Sequence, residues 1–274
     1  KDLLERHFMS RRTRDEDFDT KIDILRTRLK DSDDKNVQDA VFDKRTLMDL
    51  YGLASKGVID ALGGSVCTGK EANIFRARAG EKELALKIYR ISTSNFNSMQ
   101  DYLQGDPRFS SVRGTKRAIV AAWTRKEFRN LSRAEEVGIP VPHPIAMKEN
   151  ILVMDLVAVD GQAAPTLKEV DLKQEEARAV YERIVDYISQ LYNRAQLVHA
   201  DLSEFNILYH QGRPVIIDMG QSVTLDHPQA RRFLERDIAN VAHFFRKRYG
   251  IGSPEEIWNK LINDKDEMKE EKAD

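Results

Sequence analysis

Apolar residues recur at helical spacing in several stretches of the chain, and short apolar runs bounded by turn residues lie between them. A period near 3.6 marks the buried face of a helix, whereas compact apolar runs mark strands. Residues 1–44 are crowded with charge and hold no glycine or proline, and Phe18, Ile22 and Leu25 keep helical spacing, so they predict a helical extension. Asp43 is suited to cap a helix carrying Leu47, Leu50, Tyr51 and Leu53, because a short acceptor side chain satisfies the open N–H groups of a first turn. After Gly63-Gly64 the pattern turns to strands: Ile74–Arg78 and Leu84–Tyr89 flank Gly80-Glu81-Lys82 and predict a hairpin.

Residues 92–117 are rich in Ser, Asn, Gly and Arg with little periodicity, and read as a long flexible loop. A helix over about 118–137, stopped by Gly138 and Pro140, precedes a buried strand at Ile151–Met154 and a connector from Asp155 to Gly161. From Glu175 to Ala195 the apolar positions Val180, Tyr181, Ile184, Ile188 and Leu191 keep the strictest helical spacing in the chain. Short strands at 197–199, 207–209 and 215–218 come before a helix over 229–249, and the last dozen residues are acidic and read as frayed. This order predicts an α+β fold of two lobes with a cleft between them. The expected divisions are a helical extension at 1–44, a strand-rich lobe at 45–156 containing the loop 92–117, a helical lobe at 157–262 and an acidic tail at 263–274.

Composition changes that picture little. The 44 basic and 45 acidic residues nearly cancel, so net charge alone argues for neither nucleic acid nor membrane as partner. Cys67 is the sole cysteine, which rules out an internal disulfide and a thiolate zinc site. No apolar run reaches the length of a membrane span, and the first residues, Lys-Asp-Leu-Leu-Glu-Arg, lack the apolar stretch of a secretory leader. The expectation is a cytoplasmic protein with no membrane partner.

The chemistry concentrates in His199-Ala-Asp-Leu-Ser-Glu-Phe-Asn206 and Ile216-Ile-Asp-Met-Gly220. Phosphoryl transfer asks for a positioned acceptor and for cations bridging the phosphates, so a base with hard oxygen ligands suffices. Asp201 suits the base, and Asn206 with Asp218 suits the metal. A lone Asp at a turn would mean little, whereas H-x-D-x4-N followed by I-D-x-G is specific. A second glycine-rich stretch, Gly64-Ser-Val-Cys-Thr-Gly69-Lys70, nearly spells a Walker A loop, but Glu71 replaces the magnesium-binding hydroxyl and a strand follows where that loop needs a helix.

These motifs resemble the protein-kinase superfamily. The wording of Leu197–Asn206, Ile217-Asp-Met-Gly-Gln221 and Thr68-Gly-Lys-Glu-Ala-Asn73 is similar to the first subfamily of RIO kinases over roughly residues 43–250. The resemblance implies a trimmed kinase fold and a serine/threonine kinase with ATPase activity, using ATP with Mg2+ or Mn2+. It assigns Asp201 as base and Asn206 and Asp218 to metal. Lys87, in Leu84-Ala-Leu-Lys-Ile88, is assigned to the phosphates, with Glu127 on the inward face of its helix as counter-ion. Ser65, Thr68, Gly69 and Lys70 fall in the phosphate loop, and Met154 and Leu156 where adenine is held. After Gly220 only 54 residues follow, with no A-P-E motif, so the peptide-docking platform of ordinary kinases is not expected. The family also implies a role in small ribosomal subunit maturation and a phosphoaspartate, here at Asp218.

Eight basic residues face one acidic, Glu127, between Arg108 and Arg133, a pattern that suits RNA phosphates and equally suits a solvated face. Serines 92, 94, 98, 110 and 111 lie in the same region as candidate autophosphorylation sites. Two other functions share the motifs: a small-molecule kinase of aminoglycoside or choline type, and a nucleotide-gated factor that binds a pre-ribosomal particle without a protein substrate.

Overall fold

The computed structural model describes residues 42–91, 96–109, 114–159 and 161–270; residues 1–41 of the extension expected over 1–44, and Ser92, Ser94, Ser110 and Ser111, lie outside them. The chain divides into two compact units at Ser94/Asn95.

In the first unit, helix α1 (Lys44–Ser55) starts as its sequence predicts, with Asp43 Oδ1 accepting the Thr46 N–H at 2.7 Å. Strands β1 (Ala61–Thr68), β2 (Ala72–Ala79) and β3 (Lys82–Tyr89) form an antiparallel meander. The β2–β3 register runs unbroken from Ala72↔Tyr89 to Ala79↔Lys82. Its two-residue turn is anchored by Gly80, which takes φ 59° and donates its N–H to Asp60 Oδ2 at 2.6 Å. By contrast β1 slips register between Leu62 and Ser65 and again between Ser65 and Cys67. The first slip falls on Gly63-Gly64, where a Cβ on Gly63 would stand 3.1 Å from the Arg76 Cβ, so the strand bends where it has no side chains to pack. Phe75, Leu84, Leu86 and Ile88 are fully buried, and Phe42 lies against Phe75 with ring centroids 5.2 Å apart.

The second unit opens with α2 (Phe96–Gln104), a 3-10 turn (Pro107–Phe109) and α3 (Lys116–Glu136). A flexible loop was the expectation for 92–117, and the structure corrects it over 96–109. Met99, Leu103 and Phe109 are buried, and the aromatic ring of Tyr102 stacks on Phe233 at 5.2 Å. A nine-residue helix offers too few turns for its apolar period to stand out among Asn, Ser and Gln, and docking rather than intrinsic propensity holds it. An antiparallel hairpin, β4 (Pro144–Lys148) and β5 (Ile151–Asp155), and a short pair, β6 (Ala158–Val159) with β7 (Gln162–Ala163), lead to α4 (Gln174–Asn193).

Four short strands then frame the motif loops: β8 (Leu197–Val198), β9 (Ile207–His210), β10 (Arg213–Ile216) and β11 (Val223–Thr224). The last helices are α5 (Ala230–Tyr249) and α6 (Pro254–Glu270). Helix α6 is the second correction, because the residues expected to fray from 263 remain helical to 270. Ile257 and Leu261 bury its inner face, while Asp264 accepts from the Ser189 hydroxyl at 2.6 Å and pairs with Lys260 at 3.1 Å. Charge on the outer face concealed an apolar spacing of only a few residues.

Leu261→Ala is expected to lower unfolding stability by about 2–5 kcal/mol, the usual cost of a core leucine truncation. Ile262→Ala, at the neighbouring position with 54% exposure, should change it by less than about 0.5 kcal/mol. Urea unfolding of both variants reads the difference, and equal effects would mean that α6 is not packed.

Candidate active site

Two pairs of short strands hold the two motif loops side by side. The chain leaves β8 at Val198, passes through His199–Asn206 and enters β9; it leaves β10 at Ile216, passes through Ile217–Ser222 and enters β11. Because β9 pairs with β10 and β8 with β11, the ends of both loops are tied to each other by backbone ladders. The β9–β10 turn is Gln211-Gly212, with φ of 49° and 77°, the left-handed pair that a two-residue hairpin of this twist needs.

Within that frame Asp201, Asn206 and the Asp218 loop come together. Asn206 Nδ2 donates to the Asp201 backbone oxygen at 2.8 Å and to Asp201 Oδ2 at 3.1 Å, and Gln221 Nε2 donates to the same Oδ2 at 3.3 Å. The Ile217 N–H donates to the Asn206 carbonyl at 3.0 Å, which sets Asp218 beside the catalytic-type loop. Burial raises the Asp201 carboxyl above the usual carboxylate range, and the charge of nearby Asp218 raises it further, with Arg236 and Asn206 acting in opposition. Ala200 and Asp218 both take left-handed backbones, φ 66° and 60°, so a strained residue stands in each loop.

The loop around Asp201 is held from beneath. Asp237 on α5 is 2% exposed, and its two oxygens accept the N–H groups of Ala200 (2.8 Å) and Leu202 (2.9 Å), the residues on either side of Asp201. Arg236 donates to the Ala200 carbonyl, and Asn240 Nδ2 to that of Leu202 at 3.2 Å. His199 lies 3.0 Å from the Ile217 carbonyl through Nε2, and its Nδ1 accepts the Asp201 N–H at 3.3 Å, so the ring bridges the two loops.

Asp237, Gln221 and Arg236 were not found from sequence. Asp237 carried a usable signal, a carboxylate among Phe233, Leu234, Ile238 and Val241 on the apolar face of a helix. That same signal singled out Glu127, which is buried on α3.

The other expected site residues are distributed as follows. Lys87 is buried on β3, with its ammonium 5.2 Å from the Tyr89 ring centroid. Ser65 and Thr68 lie on β1 with their hydroxyls 3.3 Å apart, and Gly69 and Lys70 form the turn into β2, where the Gly69 N–H donates to the Ala72 carbonyl at 3.0 Å. A Cβ on Gly69 would come within 2.9 Å of that carbonyl. The glycine-rich stretch is therefore a strand and a tight turn, with strand β2 following, and a Walker A reading has no helix to support it. Met154 is buried at the end of β5, and Leu156 follows in the connector. The basic stretch is smaller than its composition suggests, because Lys126 is fully buried and Arg108 is paired with buried Asp106 at 2.6 Å. Neither is placed to meet a phosphate backbone.

Burial pushes the Asp237 carboxyl up to about 7, with the two backbone N–H groups and Arg236 pulling the other way. The folded chain therefore keeps a proton that the unfolded chain releases near pH 4. Stability from this group is full below that pH and is lost as pH rises toward 7, by at most about 1.4 kcal/mol per pH unit. Asp237→Asn should remove that slope and cost about 1–3 kcal/mol, since one loop N–H loses its acceptor. Urea midpoints at pH 5 and pH 7.5 check it; an unchanged slope in the variant would assign the pH dependence elsewhere.

Residues 73–256 match the RIO domain family. The chain is 46% identical over 257 residues to the RIO-type serine/threonine-protein kinase Rio1 of Haloferax volcanii, covering 93% of this chain and 86% of that one. It is 42% identical over 223 residues to serine/threonine-protein kinase RIO1 of Homo sapiens, covering 80% of this chain and 39% of the longer relative. Among solved structures it resembles the Rio2 kinase-ADP/Mg2+-phosphoaspartate complex from Chaetomium thermophilum, with a TM-score of 0.61 and 26% identity over 78% of this chain and 66% of that one. The α+β fold is thus of the protein-kinase-like class, and the chain belongs to the RIO domain family, with the Rio1 kinases among its relatives.

Proposed function

We propose that the protein is an ATP- and Mg2+-dependent serine/threonine phosphotransferase. The observation that carries this reading is the hydrogen-bonded set of Asp201, Asn206 and the Asp218 loop, two carboxylates and an amide held by paired strands. Among the described residues no cluster of three His, Cys, Asp or Glu side chains could cage a metal. Mg2+ is commonly held by one or two carboxylates together with substrate phosphates and water. Asn206 directs its NH2 group at Asp201, which leaves its carbonyl oxygen as the donor for a hard cation, with Asp218 as the second. Bound there, the cation would neutralise charge on the phosphates.

The chain's own residues do the rest. Asp201 accepts the proton of the acceptor hydroxyl, and its raised affinity for that proton suits the task. Asn206 and Gln221 hold the carboxylate at one oxygen, leaving the other to face the hydroxyl. By the family resemblance Lys87 is the phosphate-binding lysine with Glu127 as its counter-ion, Ser65, Thr68, Gly69 and Lys70 belong to the phosphate loop, and Met154 and Leu156 are the adenine contacts. Mn2+ in place of Mg2+ and a role on small-subunit precursors follow from the family resemblance, and autophosphorylation would fall on one of serines 92, 94, 98, 110 and 111. ATP hydrolysis through a phosphoaspartate at Asp218 is the second reading, favoured by the phosphoaspartate of the Chaetomium relative.

Asp201→Ala should lower turnover by about 10²- to 10⁴-fold while nucleotide affinity stays within a few-fold, because the base acts on the acceptor and not on ATP. Single-turnover incubation of wild type with γ-labelled ATP and Mg2+ accompanies it. Base-stable label supports hydroxyl transfer and base-labile label supports the aspartyl route; undiminished turnover in Asp201→Ala would overturn the assignment of the base.

A further inference from the structure

A buried polar chain stands behind the Asp218 turn, and the phosphotransfer reading leaves it unused. Lys126 and Asn130, one helical turn apart on α3, are both fully buried. Lys126 Nζ donates to the carbonyls of Gly220 (2.8 Å) and Ser222 (2.5 Å). Asn130 Nδ2 donates to the carbonyls of Met219 and Ser222, each at 2.9 Å. Two side chains thereby hold the backbone of 219–222, the segment between left-handed Asp218 and the first ladder residue of β11. Lys126 is flanked by the rings of Trp123 and Tyr102, its ammonium 5.2 and 5.8 Å from their centroids. Burial lowers its pKa to about 7, with Asp106 and Glu127 opposing the shift and Arg108 adding to it.

The chain continues outward into the segment that composition had marked as loop. Asn130 Oδ1 accepts from Arg108 Nη2 at 2.9 Å. Arg108 in turn forks onto fully buried Asp106, with Nε at 3.0 Å from Oδ1 and Nη2 at 2.6 Å from Oδ2. Gly105 packs closely against the His227 imidazole, just beyond β11, where a Cβ would sit 2.0 Å from the ring Nε2. Residues 105–108 are therefore seated on both α3 and the stretch that follows the Asp218 turn.

We propose that Lys126 and Asn130 are positioning residues for Asp218, and that the Asp106–Arg108 pair couples this placement to the docking of the α2 segment. The proposal rests on the reading of Asp218 as a metal ligand. A carbonyl-anchored turn fixes the direction of the Asp218 side chain, and a displacement near 1 Å at a reacting centre can cost about 100-fold in rate. If the segment undocks, Asn130 loses the partner that orients its amide, and the turn is left with the Lys126 anchor alone. Phosphotransfer would then depend on whether residues 96–109 are seated.

Asn130→Ala and Arg108→Lys in the full chain test this against wild type, through ADP binding titrated with Mg2+, single-turnover rate, and thermal unfolding. Asn130→Ala should raise half-saturating Mg2+ by about tenfold and lower the rate by about tenfold or more, with metal-free ADP affinity within about twofold. Arg108→Lys keeps the charge beside Asp106 but loses the fork, and should move the same readouts in the same direction by less. These are measured well below each variant's unfolding temperature. A lowered unfolding temperature with wild-type Mg2+ dependence and rate would show a purely structural role and overturn the proposal. If Asn130→Ala does not fold, Arg108→Lys decides alone, and an unshifted Mg2+ titration there overturns it. Wild type that binds ADP without any Mg2+ dependence would overturn the metal-ligand reading as well; Mg2+-dependent wild type with unaffected variants overturns this inference only.

Discussion

The carboxylate of Asp237 is the interaction on which the site's shape turns. It accepts the N–H groups on both sides of Asp201 from a helix that also donates to the Ala200 and Leu202 carbonyls, so the loop can neither rise nor rotate without leaving buried polar groups unpartnered. Left-handed Ala200 sits within that grip. A strained backbone persists only where its surroundings over-determine it, and here Asp237, Arg236 and the β8–β11 ladder all act on the same few residues.

From that anchor the rest of the site follows by short steps. His199 and Asn206 carry the placement of the Asp201 loop across to Ile217, and the β9–β10 hairpin keeps the two loops at fixed spacing. Buried groups of α3 then hold the far side of the Asp218 turn. These contacts are hydrogen bonds to or between backbone groups, several of them from buried side chains, a type that is directional and costly to leave unmade. Such an arrangement fixes the Asp201 and Asp218 loops against each other, the condition that the proposed phosphoryl transfer would require of a protein that contributes position and charge.

Placement in the RIO domain family agrees with this reading and narrows it. The motif resemblance pointed to the same family that the match over residues 73–256 establishes. The relatives also show that the chain corresponds to most of an archaeal Rio1 but to well under half of the Homo sapiens one.

The sequence by itself determined the elements whose periods are long or whose turns are chemically marked. The α4 pattern, the Asp43 cap, the Gly80 hairpin and the strand after Gly69 are all local, and each was legible because 3.6- and 2-residue spacing or a turn residue writes it in neighbouring positions. The grouping of Asp201, Asn206 and the Asp218 loop was legible too, because both motifs lie between short apolar runs that pair as strands. Only tertiary structure decided that α2 is a docked helix, that α6 continues to residue 270, and that Lys126 is an internal anchor and not part of a basic surface. Those outcomes depend on contacts between residues far apart in the chain, such as Lys126 with carbonyls 94 and 96 positions away. No local pattern encodes them, because the free energy of burying a short helix or a lone charge is set by the partner surface that only the folded chain supplies.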